Sequence, residues 1–205
     1  MIDLDLFLPN IMPYALGCPD PVAHHNIRQA AQEFCERTRL WRDSDEFAVS
    51  ADNCSFVCVP DGAELYQIEH ASFDGKTLTP TSIKDLDRGN WGWRDSTDGV
   101  PRWITQIGMD TVQVVPGGEG TLRLQTVLRP SDDAEQLPAF IGKHHRQLIA
   151  EGALARILML PGQSFTDPTT AQFYSMRFDA GLNKLFNRNI QGQQRAPSRT
   201  RPSFM

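Results

Sequence analysis

The chain has 205 residues, 40% of them hydrophobic and 22% charged, with a net charge of −5. A chain of that size and composition can bury a sizeable core without a disulfide or a metal to staple it. No apolar run approaches the roughly 20 residues that a membrane-spanning helix needs.

The opening residues 1–7 lack the positive n-region and small-residue cleavage site of a secretory signal, so the expectation is synthesis in a cytoplasm as a soluble protein. Residues 1–19 are apolar, with Leu4, Leu6, Phe7, Leu8, Ile11, Met12, Tyr14 and Leu16. Pro9, Pro13 and Pro19 forbid a long helix there, which predicts an extended segment packed on its own bundle or on a neighbouring subunit. Asp20-Pro21 then reads as a helix start, an acidic N-cap followed by proline at the first helical position. Ala23, Ile27, Ala30, Ala31, Phe34 and Cys35 recur at helical spacing, and the helix is expected to end near Leu40-Trp41.

From about Phe47 the period becomes two. Short strands are predicted at 47–51, 55–59, 64–73, 77–78, 102–107, 111–115 and 121–128, with Asp74-Gly75 as a hairpin turn. Pro60-Asp61-Gly62 and Pro116-Gly117-Gly118 mark further turns, and residues 83–94 interrupt the strands as a short helical turn and a tryptophan-bearing loop. The pattern predicts an antiparallel sandwich or barrel. After Pro138 a helical stripe returns, containing Ile141, His145, Leu148, Ile149, Gly152, Ala153 and Arg156 and stopped by Pro161-Gly162. Asp167-Pro168 starts a last helix with Ala171, Tyr174, Phe178, Leu182, Leu185 and Phe186 as its stripe. Residues 191–205 are rich in Gln, Arg, Pro and Ser and are expected to be disordered in isolation. The fold class predicted is therefore α+β: a small helical bundle with an inserted antiparallel β-sandwich or barrel-like domain and an extended C-terminal arm. Its divisions are 1–46, 47–130, 131–190 and 191–205.

Charge is unevenly placed. Residues 187–205 carry Arg188, Arg195, Arg199 and Arg201 and no acid, so the remaining 186 residues hold a net −9.

Few residues suggest chemistry. Cys54 and Cys58 flank a predicted strand that separates them by about 13 Å, too far for two thiolates on one zinc; with Cys18 and Cys35 they read as structural thiols. The pairs His24-His25 and His144-His145 point about 100° apart on a helix and cannot chelate one ion from one face. Gly117-Gly118-Glu119-Gly120 joins two strands, whereas a phosphate cradle needs a helix after it. Asp132-Asp133 is explained by a solvated loop ahead of a helix N-terminus. Neither a catalytic motif, a metal site nor a cofactor is predicted, and an enzyme built on His70 has little behind it. Trp91, Trp93 and Trp103 read first as packing residues and otherwise as a stacking platform for a sugar, a base or a protein partner.

Three stretches resemble the head-to-tail adaptor (head completion) proteins of tailed bacteriophages, related to the tail tubular protein A group. They are Tyr14 to Pro21 (YALGCPDP) running into Ala30 to Trp41 (AAQEFCERTRLW); Leu128 to Ser131 (LRPS) with Leu137-Pro138; and Gly152 to Gly162 (GALARILMLPG), followed by Asp167-Pro168 and Tyr174 to Gly181. The resemblance implies a helical bundle carrying a β domain. It implies a structural protein that forms a ring of copies, a dodecamer, between the portal protein and the tail tube or nozzle protein. Such a ring sits in the virion neck after assembly in the host cytoplasm, has tail fibres as further neighbours, and encloses DNA without sequence-specific binding or membrane contact. On that reading an acidic lumen lets DNA slide, and Arg188, Arg195, Arg199, Arg201 and Phe204 form a portal-binding arm. The alternative is a tail-associated binding module whose β domain grips a fibre or other ligand through Trp91, Trp93 and Trp103.

Overall fold

The computed structural model describes residues 1–50, 53–89, 92–97 and 99–191. The chain is of the α+β class and divides into two units, residues 1–40 together with those from 130 onward, and residues 41–129.

The first unit is helical. Its N-terminus is not extended as predicted. After a two-residue strand β1 (Ile2–Asp3), the segment Leu4–Asn10 winds into a 3-10 helix with Pro9 inside it. Leu4, Phe7 and Ile11 are buried against the unit's own helices. β1 pairs antiparallel with β10 (Gln136–Leu137), and Gln136 Nε2 donates to Asp3 Oδ1 at 2.7 Å. Helix α1 spans Asp20–Thr38. Asp20 is its first residue rather than its cap, a position held by Pro19, and Arg39 ends it in the left-handed region at φ 52°. Its buried side is Ala23, Ile27, Ala30, Ala31, Phe34 and Cys35, the stripe read from the sequence.

The stripe after Pro138 is two helices, α3 (Ala139–His144) and α4 (Arg146–Ile157), broken at His145 where φ is −128°. The last helix, α5 (Pro168–Gln191), starts as predicted: the Asp167 carboxylate accepts the backbone N–H of Thr169 and Thr170, each at 3.1 Å. That capping, with the Thr170 hydroxyl as the largest contributor, holds the Asp167 carboxyl below its ordinary range. Helices α1, α4 and α5 pack on one another around Phe34, Ile149, Ala153, Phe178 and Leu182. Gly152 makes this close approach possible. A Cβ there would stand 2.8 Å from the Phe178 ring and 3.0 Å from Ala30 Cβ.

The second unit contains two four-stranded sheets among the described residues. One has the order β2 (Arg42–Val49), β9 (Gly120–Pro130), β4 (Ala63–Phe73), β5 (Lys76–Thr77); the other runs β3 (Ser55–Val57), β8 (Thr111–Val115), β7 (Trp103–Gly108), β6 (Thr79–Pro80). Side chains of both sheets share one apolar core, with Val49, Ala71, Phe73, Leu78, Ile104, Val112, Val114, Leu122 and Leu124 buried together. This is the sandwich the alternation predicted, with two departures. β6 pairs with β7 in parallel, and the strands begin at Arg42, five residues before Phe47. Asp74 and Gly75, at φ 45° and 79°, form the expected hairpin turn between β4 and β5. Helix α2 (Ile83–Gly89) and a single 3-10 turn at Trp93–Asp95 occupy the predicted interruption.

Candidate functional site

The tryptophans of the second unit separate into different roles. Trp93 is buried at 2% exposure, and its indole N–H donates to Asp87 Oδ1 at 2.7 Å. Arg94 reaches the same oxygen at 2.8 Å while its guanidinium lies 4.4 Å from the centroid of the Trp93 ring. These bonds, the indole's first, hold the Asp87 carboxyl below the usual range. Asp87 comes from α2 and Trp93 from the turn just after it, so a short helix and a charged clamp fix the indole in place. Trp103 differs. As the first residue of β7 it pairs with Val115 on one side and Thr79 on the other, yet the residue remains 38% exposed. Trp91 lies outside the described residues.

Trp93 and Trp103 meet at one cavity. It has a volume of about 520 Å³ and is lined by Thr81, Asp85, Leu86, Gly89, Trp93, Ser96, Trp103, Val115 and Pro116. Of these, Leu86, Trp93 and Val115 form a small apolar cluster. Its polar lining residues are Thr81, Asp85 and Ser96. Asp85 Oδ2 accepts the Ser82 hydroxyl at 2.7 Å, and Arg88 stands 3.8 Å from its other oxygen.

The predicted arm is placed only at its root. Arg188 is an exposed residue of the last turn of α5. Asn189, next to it, donates from Nδ2 to the carbonyls of Thr38 and Arg39, which ties the end of α5 to the end of α1. Arg195, Arg199, Arg201 and Phe204 lie outside the described residues. Gln191, taken in the sequence as the start of the arm, is the final residue of α5.

Sequence reasoning missed two polar features of the helical unit. Glu33 pairs with both Arg37 and Arg156, and Arg37 continues to Asp179, so a chain of charges links α1, α4 and α5. The i, i+4 spacing of Glu33 and Arg37 was its one local signal. Glu151 is buried on α4 and accepts Arg177 at 2.6 Å and Gln147 at 3.2 Å. Beside the charge chain lies a groove of about 570 Å³ that includes Arg156, Met159, Gln172 and Phe178. Several apolar side chains of this unit remain in water, among them Met159 and, on α5, Phe173 at 49% and Met176 at 60% exposure.

All four cysteines are unbonded thiols. Burial pushes Cys58 up to about 11, and its Sγ donates to the Asp110 carbonyl at 3.3 Å. Cys35 is raised further by burial. Thiols in that state are poor nucleophiles and poor ligands. Among the described residues no group of three His, Cys, Asp or Glu is arranged to hold a metal ion, and no helix is long and apolar enough to cross a membrane. No protein-family model matches the sequence, and no curated protein matches it significantly.

Proposed function

We propose that the protein is a structural head-to-tail adaptor of a tailed bacteriophage, acting through its surfaces rather than through a reacting centre, and that copies of it form a ring between portal and tail around the DNA channel. The observation that carries this reading is the architecture: a helical unit whose chain is interrupted between residues 40 and 130 by a two-sheet β unit. The sequence resemblance implies that arrangement, and the resembling stretches fall in the helical unit and where the β unit joins it. Apolar side chains left in water on α5, among them Phe173 and Met176, give a subunit a surface to cover on association. The acidic body suits a lumen past which DNA phosphates slide. Portal and the tail tube or nozzle protein are the partners proposed, with the C-terminal arginines on the portal side.

Mixing the purified chain with DNA-free portal rings and weighing the product by native mass spectrometry tests this. The expected result is a discrete complex with one adaptor per portal subunit. Absence of any complex across a range of salt concentrations would overturn it.

A second reading, a tail-associated module whose β unit grips a ligand, is favoured by one observation, the cavity beside the half-exposed Trp103.

A further inference from the structure

We infer that the cavity between α2 and β7 is a binding site for a neutral sugar ring, stacked on Trp103 and held at its hydroxyls by Asp85. The inference concerns the β unit alone and holds whether or not the chain forms a ring.

Size comes first. A volume of about 520 Å³ falls within the roughly 300–1,000 Å³ of small-molecule sites. The wall formed by Trp93 is rigid, because its N–H is committed to Asp87 and its ring is clamped beneath Arg94. Trp103 is the unusual member. Its backbone is fixed by strands on both sides, so its partial exposure is built into the sheet and is not the accident of a loose loop. A large planar ring kept partly in water, next to an apolar wall and a few polar groups, is suited to the C–H face of a pyranose. Apolar contact covers the indole, while the ring hydroxyls need acceptors at the edge.

The polar groups select among ligands. A carboxylate has room for about four hydrogen bonds, and Asp85 shares its oxygens with the Ser82 hydroxyl and, more distantly, Arg88. It therefore retains acceptor capacity for sugar hydroxyls, with Thr81 and Ser96 as further partners. Phosphorylated ligands are disfavoured. Residues 41–129 carry 14 acids against 8 Lys and Arg, a net −6, and the nearby Arg94 is already engaged by Asp87. A nucleotide could stack on the indole, but its phosphate would meet that field.

The test is a titration of the full ¹⁵N-labelled chain, following the four indole N–H signals assigned through single Trp→Phe variants. The probes are glucose, galactose, N-acetylglucosamine, maltose and N,N′-diacetylchitobiose. Each is carried to about 50 mM, well above the roughly 1 mM dissociation constant of a weak site. Choline and adenosine monophosphate serve as the cationic and phosphorylated counter-probes. At least one saccharide should shift the Trp103 signal saturably. Trp103→Ala should weaken that binding by about tenfold or more, the equivalent of about 1.4 kcal/mol. Asp85→Asn, which keeps the side chain's size and one acceptor oxygen, should weaken it severalfold with an unchanged circular-dichroism spectrum. Trp103→Phe, which keeps a stacking ring, should retain part of the affinity. The inference is overturned if no saccharide moves the Trp103 signal, if choline or the nucleotide binds in their place, or if Asp85→Asn binds as well as wild type. Failure here leaves the portal-mixing experiment untouched, so the two ideas fall separately.

Discussion

At the scale of single residues, burial decides what each side chain is worth. Phe34 and Phe178 are almost fully buried in the helical unit, and truncating either to alanine should cost about 3–5 kcal/mol in transfer energy and cavity. Leu148, on the predicted stripe after Pro138, is only half-buried, so Leu148→Ala should cost visibly less. Urea midpoints of the three variants check that ordering. His145 adds a dependence on pH. It sits at the break between α3 and α4 with its ring 5.0 Å from that of Phe34. Burial first, then His144 and Arg188, lower its pKa from the ordinary 6.5. The unfolded chain therefore takes up a proton at a pH where the folded chain still refuses it. The stability contributed by neutral His145 is complete above about pH 6.5 and declines as pH falls through the folded value. His145→Gln should flatten that decline in urea titrations between pH 7.5 and 5.5. An unchanged pH slope would assign the titration elsewhere.

Among the elements, the strands of the β unit and the stripes of α1 and α5 were legible because alternation and helical spacing are direct consequences of one-sided burial. Three features were not. Leu4, Phe7 and Ile11 carry a helical spacing, but three prolines hid it, and a 3-10 segment tolerates Pro9 where a long α-helix would not. The break at His145 leaves the apolar period intact, so periodicity alone joins α3 to α4. The first half of β2 reads Arg42-Asp43-Ser44-Asp45-Glu46, with no apolar residue to set a period. Register explains that composition. Asp43, Asp45, Phe47 and Val49 alternate onto one face, where Asp45 opposes Leu124 and Phe47 opposes Leu122, both core residues. β2 is also an edge strand. Charges along an edge strand deter another chain from adding to the sheet. Desolvation, then the neighbouring Asp43, raise the Asp45 pKa. The double variant Asp43→Val with Asp45→Val should keep the fold and self-associate. Light scattering at rising concentration reads this, and a monodisperse variant would refute the edge argument. The tryptophan cavity was half legible: the sequence marked Trp93 and Trp103 but could not tell the clamped indole from the half-exposed one, because that difference depends on Asp87, Arg94 and two neighbouring strands.

For the whole molecule, chain order matters as much as packing. The β unit is entered and left through paired strands: Arg42 opposes Val127, and the Leu128 N–H donates to the Trp41 carbonyl at 2.8 Å. Both crossings of the boundary are thus held side by side, and the helical unit resumes with residues that complete its own core, such as Leu137 and Ile141. The buried stripe of α5 ends at Leu182, with Leu185 and Phe186 half-buried beyond it, and Asn189 fastens the last turn to α1. Everything the fold needs from α5 precedes residue 191. The segment after it holds Arg195, Arg199 and Arg201 with no acid, and Phe204 near its end. Arginines pair bidentately with carboxylates, and a phenylalanine can fill a pocket, so this composition suits an arm that docks on an acidic partner. Deleting residues 192–205 should leave the circular-dichroism spectrum and thermal midpoint unchanged while abolishing attachment to portal. Reversing charge at Arg195, Arg199 and Arg201 should weaken attachment, and added salt should weaken the wild-type complex in the same direction, because exposed pairs are screened within about 10 Å at 0.1 M. If the arm instead contacts DNA, the truncated chain joins DNA-free portal as well as the intact one does, and the docking assignment fails.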